Sequence, residues 1–145
     1  MKNRPVLVCG SLLLIVFLGC AQRAKQNGVP AAVESAIGTV TEDLQQERYE
    51  KIYVESSELW KQDATLEKST EVLKTLHLKL GKMENRAMHT AAEHENSSGP
   101  LKGHVFIVTY QTKFERGEAM ETFTLIEEDG KWKLARYLVN STALQ

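Results

Sequence analysis

Residues 103–114 read GHVFIVTYQTKF. Phe106, Val108, Tyr110 and Phe114 fall on one side of an extended chain, and Val105, Ile107, Thr109 and Gln111 fall on the other. Alternation of this kind predicts a β-strand. Working outward toward the C-terminus, Glu115-Arg116-Gly117 supplies a turn, and AMETFTLIE (119–127) repeats the period of two. Asp129-Gly130 is a two-residue hairpin signal, because both residues tolerate positive φ. KWKLARYLVN (131–140) then closes the sheet, with Trp132, Leu134, Arg136 and Leu138 expected on one face and Lys133, Ala135, Tyr137 and Val139 on the other. On the N-terminal side, Asn96–Pro100 is a loop, and NRAMHTAAEHE (85–95) is a further strand whose alternation is blurred by alanines.

Before residue 82 the period changes to that of a helix. Val33, Ile37, Val40 and Leu44 place a first helix over 31–46. Tyr49, Ile52, Tyr53, Leu59 and Trp60 place a second over 47–62, with Ser56 and Ser57 inside it as points of close packing. Leu66, Val72, Leu73, Leu76 and Leu80 place a third over 65–80, with Asp63 as its expected cap and Gly81 as its end. Helices followed by a meander of strands predict an α+β domain, with three N-terminal helices packed on a curved antiparallel sheet of about four strands. The outer sheet face keeps Val, Thr and Tyr residues, which calls for partial cover or a partner.

The N-terminus has a different character. Lys2 and Arg4 precede VLVCGSLLLIVFLGC (6–20), and no charge interrupts the run from Pro5 to Gln22. A basic start, an apolar centre and a small-residue end are the parts of a secretory signal. The run is short of the roughly 20 residues a spanning helix needs. Phe17-Leu18-Gly19-Cys20 resembles the lipobox of bacterial lipoproteins, although Phe17 replaces the usual Leu and Leu18 a usual small residue. The resemblance implies cleavage after Gly19 and diacylglycerol on the Cys20 sulfur. A plain signal peptide or an uncleaved anchor helix is the alternative. Each buried methylene contributes about 0.8 kcal/mol, so two or three acyl chains hold a protein on a membrane almost irreversibly. Cys9 would leave with the leader, and no other cysteine remains for a disulfide, a thiol nucleophile or a thiolate metal site. Ala21 after the cysteine favours the outer membrane, by resemblance to lipoprotein sorting in bacteria with two membranes.

The expected organisation is a signal peptide over 1–19, an acylated cysteine and flexible tether over 20–31, and one domain over 32–142. A tether of this length lets the domain float about 15–20 Å from the bilayer. Without the leader the chain carries 16 basic and 19 acidic side chains, not the basic profile of a nucleic-acid binder.

The ordered set Tyr110-Gln111-Thr112-x-Phe114, Glu121-Thr122-x-Thr124-Leu125, Glu128 to Leu134 and Tyr137 resembles an uncharacterised bacterial family of small exported domains of unknown function. Ser56-Ser57-x-x-Trp60, Leu76, Leu80-Gly81 and Arg86 extend that resemblance into the helices, so that it covers 32–139; the polar loop 95–103 departs from it. The family looks like a branch of the cystatin-like, nuclear transport factor 2-like superfamily, in which a curved sheet wraps the helices into a cone. That fold hosts isomerases, dehydratases, ligand binders and assembly modules, and it supplies no catalytic residues to carry over.

The residues themselves name few chemical groups. His89 and His94, five apart, fall on opposite faces of a strand, which is poor geometry for a shared metal even with His104, Glu93 or Glu95 nearby. His77 falls at a helix edge. His104 and Glu121 are the two candidates for acid–base chemistry, with a solvated or strand-pairing Glu121 the favoured reading. Trp132, Tyr137, Tyr49, Tyr53 and Trp60 are read as core anchors. Asn96-Ser97-Ser98 and Asn140-Ser141-Thr142 match glycosylation acceptors only by coincidence in a bacterial lipoprotein. The preferred expectation is a non-enzymatic, periplasm-facing lipoprotein, held by acyl chains on Cys20, with no cofactor and no metal. It would bind an envelope protein or a small apolar ligand, and pairing of two copies through the sheet is compatible with it. The alternative is a small cone-pocket hydrolase or isomerase.

Overall fold

The computed structural model describes residues 28–145. The expected signal peptide, the lipidation site Cys20 and most of the expected tether lie outside the described residues. Val29 is already packed in the core.

Four helices precede four strands: α1 (Ala31–Gln45), α2 (Tyr49–Glu55), α3 (Glu58–Asp63), α4 (Leu66–Leu80), β1 (Met83–Asn96), β2 (Gly103–Phe114), β3 (Gly117–Glu128) and β4 (Lys131–Asn140). A 3-10 turn, Thr142–Leu144, follows. The sheet runs β1-β2-β3-β4, every pair antiparallel, so the expected α+β meander is present.

The single second helix expected over 47–62 is two helices. Ser56 and Ser57 are both extended, at ψ 168° and 161°. The Ser57 hydroxyl accepts from the Trp60 backbone N–H and starts a new helix, while the Ser57 N–H turns outward to the Leu134 carbonyl of β4 at 3.0 Å. The serines are therefore a break and a cap, and both are buried, as the close packing expected of them requires. Asp63, the expected cap of the last helix, instead ends α3. Thr65 caps α4 by accepting from the Lys68 N–H. Along α4, Leu73 and Leu80 are buried, but Leu66 and Val72 face solvent. Ser69 is buried in their stead, its hydroxyl accepting from Trp60 Nε1 at 2.9 Å.

Gly81 ends α4 at φ 77°, and a side chain there would run into Glu115. Glu115 in turn accepts from the Lys82 N–H at 3.0 Å. Arg116 donates its backbone N–H to Leu80 O at 2.9 Å and its guanidinium to Leu78 O. The β2–β3 turn thus clasps the end of α4.

Phe106, Val108 and Tyr110 of β2, Phe123 and Leu125 of β3 and Leu134 of β4 face Val33, Ile37, Tyr49, Ile52 and Leu73 of the helices. A register shift in β4 leaves Ala135 without a partner on β3. It moves Trp132 and Leu134 onto the face of Tyr137 and corrects the strict alternation expected for this strand. Ala135 goes to the opposite face, where it joins Val105 and Ile126 in a second cluster flanked by Leu59 of α3 and by Leu101.

Candidate functional site

Glu121 lies on β3 between Ala119 and Phe123, opposite Tyr110 and Val139 on the neighbouring strands. The period of two turns it toward the helices, and it is 3% exposed. Of the solvated or strand-pairing Glu121 favoured from sequence, this corrects the solvated form. Its carboxylate accepts hydrogen bonds from the hydroxyls of Thr112 on β2 and Tyr137 on β4. Burial, followed by the Glu121 charge, holds the Tyr137 phenol well above the usual tyrosine pKa, so it stays a donor at neutral pH. On β1, the Arg86 guanidinium sits 4.3 Å from the Tyr110 ring centroid and donates to Thr41 Oγ1 on α1 at 2.8 Å. Glu121, Tyr137, Thr41, Leu73, His77 and Phe114 border a cavity of about 40 Å³. That space holds a water or two.

His104, the other acid–base candidate, stands at the opposite end of the same face. Its Nδ1 meets Glu127 Oε2 of β3 at 2.9 Å, its Nε2 meets Glu93 Oε1 of β1 at 2.6 Å, and its ring meets the Trp132 ring at 4.7 Å. Both ring nitrogens donate only in the imidazolium, so the hydrogen bonds to Glu127 and Glu93 raise its pKa. Glu121 is opposite Tyr110, six positions along β2 from His104, which is about 20 Å of strand. The two candidates therefore do not act on one atom. His89 falls at a register shift in β1, and His94 pairs with Val105; both are exposed. Among the described residues no group of three or more His, Cys, Asp or Glu is placed to hold a metal ion, and no helix is long and apolar enough to cross a membrane.

The larger concavity is on the surface. A groove of about 440 Å³ runs between α3, α4 and β4, lined by Trp60, Val72, Leu73, Leu76 and Leu138 with Asp63, Lys68 and Arg136 among its polar residues. Sequence reasoning missed it. The helical period places Val72 in a stripe and the strand period places Leu138 on a face, and the only signal that both stay open is the excess of apolar residues over what one buried face needs. It also missed Thr112 and Tyr137 as partners of Glu121.

A family model described as a protein of unknown function (DUF4019) matches residues 37–137. No curated protein matches the chain. Among solved structures, the chain is similar to a scytalone dehydratase candidate from Novosphingobium aromaticivorans, at 13% identity and a TM-score of 0.46, over 77% of this chain and 82% of that one.

Proposed function

Since the chain belongs to the DUF4019 family of proteins of unknown function, we propose a function from its geometry: a lipid-anchored, non-enzymatic binding module that faces the periplasm from the outer membrane. The observation that carries the binding half is where the open space lies. The cone expected from the nuclear transport factor 2-like resemblance is filled by Phe106 and Phe123, with Trp60 and Trp132 packed against them. About 40 Å³ remains beside Glu121, whereas the groove outside offers about 440 Å³ and exposed apolar side chains. The anchor rests on the sequence from Lys2 to Cys20. It is tested by intact mass and membrane partition of wild type beside Cys20→Ala. An acyl mass shift and a membrane-bound wild type, with release of the variant, are expected. An unmodified wild-type mass removes the anchor.

A second reading has its own support. Glu121 is a buried carboxylate beside a tyrosine at the rim of a cavity, a setting compatible with a small hydrolase or isomerase. Hydrolase or isomerase turnover that disappears in Glu121→Gln would replace the binding reading.

A further inference from the structure

We propose that the groove beside β4 takes an extended polypeptide segment of another protein, added to the sheet as a fifth strand, with apolar side chains at alternate positions and at least one acidic residue. This rests on the binding-module reading and states what the module binds.

The geometry of the lining carries the argument. Ala135, Arg136, Tyr137 and Leu138 all border the groove. The bulge puts Ala135 and Arg136 on one face, but Arg136, Tyr137 and Leu138 beyond it alternate, and three successive alternating residues can line one space only where the strand's edge borders it. β4 is the last strand of the sheet. The Leu134 carbonyl is taken by Ser57, but among the described residues the backbone of Arg136–Asn140 makes no hydrogen bond outside the ladder with β3. An edge of this kind presents unpaired N–H and C=O groups to whatever fills the groove. The facing wall is apolar. Val72 on α4 is 58% exposed and shares that wall with Trp60 and Leu76, while Leu138 on β4 itself is 63% exposed.

Charge narrows the occupant. Lys68 and Arg136 line the groove without an ion-pair partner among the described residues, against the single carboxylate of Asp63. The surplus is positive and suits an acidic partner. A second copy presenting its own groove would bring Lys68 and Arg136 against a single Asp63, so a positive surplus would meet the same positive surplus. An acyl chain would cover the strand edge while leaving its amides unpaired, at a cost a peptide strand avoids. Strand addition satisfies both walls at once: main-chain pairing on β4, and alternate side chains against α3 and α4.

The test uses the mature full chain in lipid nanodiscs and a fluorescein-labelled acetyl-Val-Glu-Val-Thr-Val-Asp-Val-amide probe. Four competitors are added: the unlabelled peptide itself, the same peptide N-methylated at alternate residues, dodecanoate, and an unlabelled peptide with Lys in place of its acids. Binding with a dissociation constant of about 10–100 μM is expected, with an N-methylated competitor at least ~10-fold weaker. Leu138→Asp and, separately, Val72→Asp should each weaken the probe about 10-fold, and Arg136→Glu should shift preference to the Lys peptide. Both exposed positions can be changed without disturbing the core, so a folded variant is available from at least one. The proposal is overturned by no binding at about 1 mM, by equal binding of the N-methylated peptide, or by dodecanoate displacing the probe as well as unlabelled peptide does. Self-association of the wild type that Leu138→Asp dissolves overturns it in favour of a second copy. Failure here leaves the Cys20 and Glu121 experiments untouched. Turnover lost in Glu121→Gln would sink the underlying reading whatever the peptide does.

Discussion

Glu121 and Glu127 share a strand and a face, six residues apart, yet they belong to different environments. Glu121 is closed over by the helices and answered by two hydroxyls, whereas Glu127 is open to water and answered by a histidine. The neighbours, not the residue type, set what each carboxylate does. A buried polar group is costly to leave unmatched, and an exposed ion pair is screened and contributes little.

That contrast can be broken by substitution. Glu121→Leu leaves the Thr112 and Tyr137 hydroxyls without an acceptor in the core, and should lower the unfolding free energy by about 3 kcal/mol in urea titration. A loss as small as that of a surface change would erase the distinction between the two ends.

Asp43 sharpens it as an intermediate case. It is 1% exposed, accepts from Arg48 Nε at 2.6 Å and from Lys51 at 3.2 Å, and its carbonyl accepts from the Arg48 N–H. Its partners reach water, so Asp43→Ala leaves solvated cations behind rather than orphaned hydroxyls. The expected loss is about 2 kcal/mol, read from the same titration.

The smallest effect belongs to His104. Its folded pKa is raised by Glu127 and Glu93, so its stabilising contribution is complete below the unfolded histidine value of about 6.5 and is lost as pH rises through the folded value. Wild type should therefore gain on His104→Gln in melting temperature near pH 6, with the gap closing as the buffer is made alkaline. A gap that widens with pH would mean a neutral histidine in the fold.

Glu121 and His104 also mark how far the sequence could be read. The strands were legible because Phe106, Val108 and Tyr110 alternate without interruption, and the hairpin because Asp129-Gly130 needs the positive φ values, 53° and 72°, that it adopts. Glu121 sits in phase with Phe123 and Leu125, and that phase alone pointed inward. What could satisfy it there could not be read, because Thr112 and Tyr137 come from the two adjacent strands and the register of β4 changes at Ala135. His104 meets partners 11 and 23 residues away for the same reason. The α2–α3 break was hidden because Ser56-Ser57 lies within an apolar pattern that continues across it. The backbone bond from Ser57 to Leu134, together with the Ser56 hydroxyl's bond to Tyr53 O, shows why the helix stops. The groove was hidden because a helical stripe predicts which side chains are apolar, not which find a neighbour.

The clasp at Gly81 has a consequence for cooperativity. The chain is split in sequence, helices first and sheet second, and such a chain could come apart in two stages. Here the carbonyls that end α4 are satisfied by the turn joining β2 to β3, so the helix cannot fray without unpinning the centre of the meander. The two halves should accordingly unfold together rather than in two stages.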